Sequence, residues 1–95
     1  MHHQPITINT KRLLDTFLAM LSVDSYYGDE DRVVQVIKPR MDGFGITWRS
    51  DQHGNLIGDW PARDKTSEPL ILNAHMDTVR PTPGMVPVVK SDGVY

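Results

Sequence analysis

The stretch of sequence that decides the fold is Leu70-Ile71-Leu72-Asn73-Ala74-His75-Met76-Asp77-Thr78-Val79. Its first five residues, Leu70 to Ala74, form a short and nearly continuous apolar run. Such a run is typical of a strand that is covered on both faces. We therefore predict a buried central strand at Leu70–Ala74, preceded by a polar loop from Pro61 to Pro69.

Two side chains that can carry chemistry, His75 and Asp77, follow this predicted strand. Ligands of α/β proteins collect at the carboxyl ends of strands, and residues two apart in an extended chain share one side. A carboxylate beside a metal-binding histidine can accept the ring N–H that faces away from the metal, which fixes the tautomer. The pattern alone leaves a second interpretation open, in which His75 is a hydrogen-bonded histidine without a ligand.

Helical periodicity precedes the strand. One apolar stripe in Thr10–Leu21 predicts an amphipathic helix, with Asn9 or Thr10 as its N-cap. A second helix is expected from about Asp29 to Asp42, with Pro39 causing either a kink or an early end. Its predicted buried side consists of Val33, Val34, Ile37 and Met41. The acidic residues Asp29, Glu30 and Asp31 fit the positive end of the helix dipole better than a metal site.

The spacing of the apolar residues then changes from the helical period to a period of two. Ile46–Ser50 and Leu56–Trp60 predict an antiparallel hairpin around the turn Asp51–Asn55, in which Trp48 and Trp60 can pair across the strands. Further on, Val86–Val89 predicts a strand that enters a turn at Ser91-Asp92-Gly93. Two helices, a hairpin and a buried strand indicate an α/β fold with an incomplete sheet, and a complete small α+β domain is the alternative.

Composition excludes several classes of protein. The 95 residues suffice for one small domain. With no cysteine, a disulfide framework and a thiolate zinc site are impossible, and a net charge of −2 disfavours a nucleic-acid partner. We expect no membrane span and no signal peptide, and hence a cytoplasmic protein. Of the other histidines, His53 is expected in a turn, and His2 and His3 in a terminus without fixed structure.

The segment from residue 70 to 79 resembles the first metal-binding motif of a family of zinc-dependent exopeptidases and deacylases. This family includes peptidase T, glutamate carboxypeptidase, acetylornithine deacetylase and aminoacylase. Its motif is an apolar strand that ends in histidine, any residue, aspartate and commonly Thr-Val. Leu21–Ser25 with Gly28-Asp29-Glu30 is similar to the family's exit from the first helix, and Pro83–Met85 with Lys90–Gly93 looks more like the peptidase T branch.

The resemblance implies that His75 is a metal ligand and that Asp77 is a catalytic-site residue that orients it. It implies that residues 1–95 are the N-terminal fragment of a metallopeptidase catalytic domain, without the lid domain and the remaining ligands. The family uses two Zn²⁺ ions, so the 95-residue chain alone is expected to be inactive. The implied activity is aminopeptidase hydrolysis of short peptides, and self-association or a homo-oligomer is a further expectation. The alternatives are an amide deacylase of the same family and a non-catalytic small α/β domain with a structural His75.

Overall fold

The computed structural model describes residues 5–78 and 86–95, and it contains two helices and two small antiparallel sheets. The elements are α1 (Thr10–Leu21), α2 (Asp31–Gly43), β1 (Thr47–Ser50), β2 (Leu56–Asp59), β3 (Val89–Lys90) and β4 (Gly93–Val94). The expectation of a mixed helix and strand composition is confirmed. The predictions for His2, His3 and residues 79–85 lie outside the described residues. No helix in the described ranges is long and apolar enough to cross a membrane.

Helix α1 has the predicted bounds because its start is capped. The side-chain oxygen of Asn9 accepts a hydrogen bond from the backbone N–H of Arg12 at 3.0 Å. This bond satisfies one of the donors that a helix start leaves without a partner. The apolar stripe is only partly covered, since Leu13 is 63% exposed and no residue of α1 is buried.

Helix α2 begins two residues later than predicted and runs through Pro39 to Gly43. The segment before it turns at Gly28 and Asp29: the Glu30 carboxylate accepts from the backbone N–H of Gly28 at 3.2 Å, and Asp29 N–H donates to a carbonyl three residues earlier. The alternative of an early end before Asp42-Gly43 is wrong, since both residues belong to the helix. The guanidinium of Arg40, the residue after Pro39, donates a hydrogen bond to the Val36 carbonyl one turn earlier, at 2.7 Å.

The hairpin of β1 and β2 confirms the period-two prediction. The strands are antiparallel, with Thr47 opposite Asp59 and Ser50 opposite Leu56. Gly58 on β2 lies where a methyl group would come within 2.8 Å of Ile46 Cγ2, so this face of the hairpin leaves little room for a side chain. A second, shorter hairpin joins β3 to β4 around Ser91 and Asp92 of the predicted turn. The bounds predicted for its first strand, Val86–Val89, are wrong, because β3 consists of Val89 and Lys90.

The predicted pairing of Trp48 with Trp60 is wrong, because the register places Gly58 opposite Trp48. The Trp48 ring instead lies under the Lys38 ammonium at 4.5 Å, and its indole N–H donates to Asp42 at 2.8 Å. Trp60 lies beyond β2, with its ring centroid 6.3 Å from that of Phe44. Both tryptophans therefore pack near α2 rather than on each other.

The core is small and lies on α2. Its buried apolar side chains among the described residues are Val33 and Val34, which were predicted to be buried, while Ile37 and Met41 are half-buried. Helix α2 packs against α1 and against β1. The radius of gyration is 16.0 Å, compared with about 12 Å for a compact domain of this length. The chain is therefore more extended than a closed domain.

The predicted buried central strand at Leu70–Ala74 is wrong for this structure. Residues 68–77 belong to no strand, and Leu70, Ile71 and Leu72 are 85%, 85% and 87% exposed. In the described part of the chain, β1 and β2 pair with each other, and neither pairs with this segment. An apolar run shows only that burial would be favourable, whereas actual burial needs a neighbouring strand and covering helices.

Candidate functional site

The candidate site is the pair His75 and Asp77, which follows the exposed apolar segment Leu70–Leu72. The Nδ1 atom of His75 lies 3.0 Å from Asp77 Oδ1 and 2.8 Å from the Asp77 backbone carbonyl oxygen. A carbonyl oxygen can only accept a hydrogen bond, so Nδ1 must carry the proton. In the neutral ring the lone pair is then on Nε2, which takes part in neither of these hydrogen bonds.

The exposures of the two side chains differ. The His75 side chain is 85% exposed and the Asp77 side chain 38%. An ion pair at such exposure contributes little to folding stability, because water screens it. The contact is therefore better suited to orienting the imidazole than to stabilising the fold.

A contact with the body of the protein follows directly after the pair. Thr78 N–H donates to the Ser25 carbonyl at 2.8 Å, and Thr78 forms a parallel bridge with Tyr26. Ser25 is only 5% exposed, so this contact reaches a buried point between α1 and α2. This contact was not predicted from the sequence, since it joins residues that are distant along the chain.

The further metal ligands that the family resemblance implies belong to segments outside these 95 residues. Across residues 5–78 and 86–95, no three side chains of the metal-binding types gather closely enough to hold an ion. The Nε2 atom of His75 fits one ligand position of a zinc site, and the carboxylate that accepts from Nδ1–H fits the role of its orienting partner.

The other candidate residues have local structural roles. His53 lies in the β1–β2 turn as expected, where its backbone N–H donates to the Asp51 carboxylate at 2.9 Å. Asn55 donates to the same carboxylate from its side chain at 2.8 Å and from its backbone at 2.9 Å. These hydrogen bonds lower the pKa of Asp51, and the bond from the Asn55 side chain has the largest effect. Of the three acidic residues expected at the positive end of the α2 dipole, Asp31 lies in the first turn, Glu30 is the N-cap residue, and Asp29 lies one residue before the cap.

A shallow cavity of about 250 Å³ lies away from the candidate site. It is open to solvent and lies between the start of α1 and the end of α2, with Arg12, Arg40 and Phe44 among its lining residues. Arg12 lies over the Phe44 ring at 4.8 Å, so part of this surface is already engaged in a cation–π contact. The cavity therefore does not add to the chemistry of His75.

Comparison with known proteins gives one relative and no family. The chain is similar to the uncharacterized protein YqjE of Bacillus subtilis (strain 168), with 29% identity over 91 residues. The match covers 88% of this chain and 24% of YqjE, so the chain spans about a quarter of the length of this relative. No protein-family model and no solved structure matches the chain significantly.

Proposed function

We propose that the chain is the N-terminal part of the catalytic domain of a peptidase T-like zinc aminopeptidase that hydrolyses short peptides in the cytoplasm. The observation that carries this proposal is the His75 ring, whose Nδ1–H is held by Asp77 while Nε2 keeps its lone pair. This is the arrangement in which a carboxylate prepares a histidine for a metal. The sequence pattern from residue 70 to 79 supports the same role.

In this proposal each of the two residues has one task. His75 would hold Zn²⁺ through its Nε2 lone pair, and Asp77 holds the proton on Nδ1 and keeps the ring in one tautomer. Zinc held there would supply a water molecule of lowered pKa and a Lewis acid for the peptide carbonyl. Because His75 is mostly exposed, its ring can be reached by an ion and by ligands from elsewhere.

The remaining ligands are assigned to a longer parent protein. A catalytic zinc ion needs about three protein ligands in addition to a water position, and His75 supplies one of them. A chain that spans 24% of YqjE is in line with such a parent. The 95-residue chain by itself is therefore expected to bind zinc weakly and to hydrolyse no peptide.

A zinc titration of the 95-residue chain, followed by NMR of the histidine rings, tests the proposal. Zinc is expected to shift the His75 resonances, and His75→Ala is expected to abolish the binding. Asp77→Ala should weaken binding about 10- to 100-fold, as loss of an orienting partner does. His53→Ala is the matched control, since His53 lies in a turn away from Asp77. Zinc binding that survives His75→Ala contradicts the proposal and favours a non-catalytic domain with a structural His75.

The full-length parent distinguishes peptidase from deacylase. His75→Ala there should remove zinc and activity together, because the ion loses a direct ligand. Release of an N-terminal residue from a tripeptide supports the aminopeptidase. Release of the acyl group from an N-acyl amino acid, without peptide hydrolysis, supports the amide deacylase instead.

A further inference from the structure

The segment that connects α1 and α2, residues 22–30, contacts Thr78, the residue that directly follows the candidate site. We call this segment the α1–α2 junction. Its contact with Thr78 is the hydrogen bond from Thr78 N–H to the Ser25 carbonyl, together with the parallel bridge between Tyr26 and Thr78. Among the described hydrogen bonds, this one alone ties residues 61–78 to the rest of the chain. The position of the site relative to the helices therefore depends on it.

Burial along the chain places the anchor next to the site. The apolar residues Leu70 to Leu72 are at least 85% exposed, whereas Met76 and Asp77 are half-buried. On the other side of the contact, Ser25 is 5% exposed. Within residues 61–78 the half-buried residues are thus the two that directly precede Thr78, which is itself exposed.

We infer that the α1–α2 junction is a positioning element for the His75–Asp77 pair. Thr78 is bonded to Asp77, and Asp77 offers both its carbonyl and its carboxylate to His75 Nδ1. Fixing the amide of Thr78 against Ser25 fixes the peptide plane that contains the Asp77 carbonyl. The direction of the His75 ring is then set by the junction. This inference concerns the geometry of the pair and holds whichever ligand Nε2 takes.

The test measures the ¹⁵N chemical shifts of the two ring nitrogens of His75 in the 95-residue chain, at an alkaline pH where imidazole is neutral. In the unmodified chain, the two ring nitrogens should show well-separated shifts, with Nδ1 protonated. Thr78→Pro removes the donor to Ser25 and should bring the two shifts toward the average of a ring that exchanges between tautomers. Thr78→Val keeps the backbone N–H and should keep the separated shifts.

A second pair of variants acts from the junction, far from His75 in sequence. Ser25→Leu introduces a large side chain at a buried position and should displace the Thr78 contact, with the same loss of the tautomer preference at His75. Tyr27→Leu changes a neighbouring side chain that is 84% exposed and should leave His75 unchanged. Far-UV circular dichroism of each variant reports whether α1 and α2 are retained.

The outcomes separate this inference from the proposed function. Unchanged His75 shifts in Thr78→Pro, or in a Ser25→Leu chain that retains its helices, overturn the inference. If Ser25→Leu loses its helices, the comparison of Thr78→Pro with Thr78→Val decides. Failure of the zinc titration overturns the proposed function and does not alter the ring measurement, which is made without metal.

Discussion

Replacement of Ile71 by lysine tests whether the exposed apolar segment Leu70–Leu72 drives self-association. Ile71 is 85% exposed, so the substitution removes few contacts within the chain, and the free energy of unfolding should change by no more than about 0.5 kcal/mol. What changes is the apolar surface offered to a second copy. Apolar surface of this kind, next to a backbone without strand partners, favours association.

The expected strength follows from the number of exposed side chains. Two copies of Leu70–Leu72 present six exposed apolar side chains. If a dimer covers about half of each, the effect equals the full burial of three side chains, which contributes about 4 to 9 kcal/mol. Association itself costs at least about 4 kcal/mol, so the net gain is at most about 5 kcal/mol, a Kd no tighter than about 0.2 mM. Ile71→Lys removes about 1.5 to 3 kcal/mol of this gain and should weaken association about 10- to 150-fold.

Sedimentation equilibrium from about 10 μM to about 1 mM extends above the tightest Kd in this range, about 0.2 mM. Ile6→Lys is the matched control, because Ile6 is 93% exposed and lies outside the segment. A chain that associates equally with and without Ile71→Lys would show that another surface is responsible. A strictly monomeric chain at the highest concentration would exclude the upper part of this energy range, and a sharp two-state unfolding transition of that monomer would refute the reasoning and favour a finished domain.

Three further predictions concern the fold. Gly58→Ala should lower the free energy of unfolding by about 1 kcal/mol by overpacking, since its methyl group would meet the Ile46 side chain at 2.8 Å. Gly43→Ala is the control, because nothing lies within 4 Å of the added methyl group. Equal melting temperatures of the two variants would argue against the clash. Val33→Ala should cost about 2 kcal/mol for two buried methyl groups and their cavity, whereas Val86→Ala, at a side chain that is 76% exposed, should cost almost nothing in the same denaturation experiment. The lowered pKa of Asp51 means that its stabilising effect on the turn is present above the unfolded-state pKa and is lost as the pH falls through the folded-state pKa; an NMR titration in which Asp51 titrates at or above the ordinary aspartate value would contradict this.

The local elements were predictable because their signals are local. A capping residue and an apolar stripe fixed the bounds of α1, and alternation located the β1–β2 hairpin. The start of α2 was displaced by two residues because Asp29 and Glu30 belong to the turn before it. The cross-strand pairing of Trp48 failed because hydrophobic alternation does not specify which residue faces which.

The non-local features were not predictable in the same way. The burial of Leu70–Ala74 depends on elements that the segment does not specify, so its apolar composition was misleading for this structure. The contact between His75 and Asp77 was anticipated from a carboxylate two residues after the histidine, and it forms although the predicted strand before it does not. The anchoring of Thr78 on Ser25 was not, since no sequence spacing connects the two residues.

The bridge between the α1–α2 junction and Thr78 also has a consequence for the order of folding. The helices and both hairpins join residues that are close in sequence, so they have low contact order and can form early. The bridge closes a loop that contains more than half of the chain, and the entropy of that closure must be met before Thr78 gains its partner. Few contacts then hold the loop closed, which places it among the parts that open first in the native state. The His75–Asp77 pair is thus expected to acquire its position last during folding and to lose it first, while the helices are still intact.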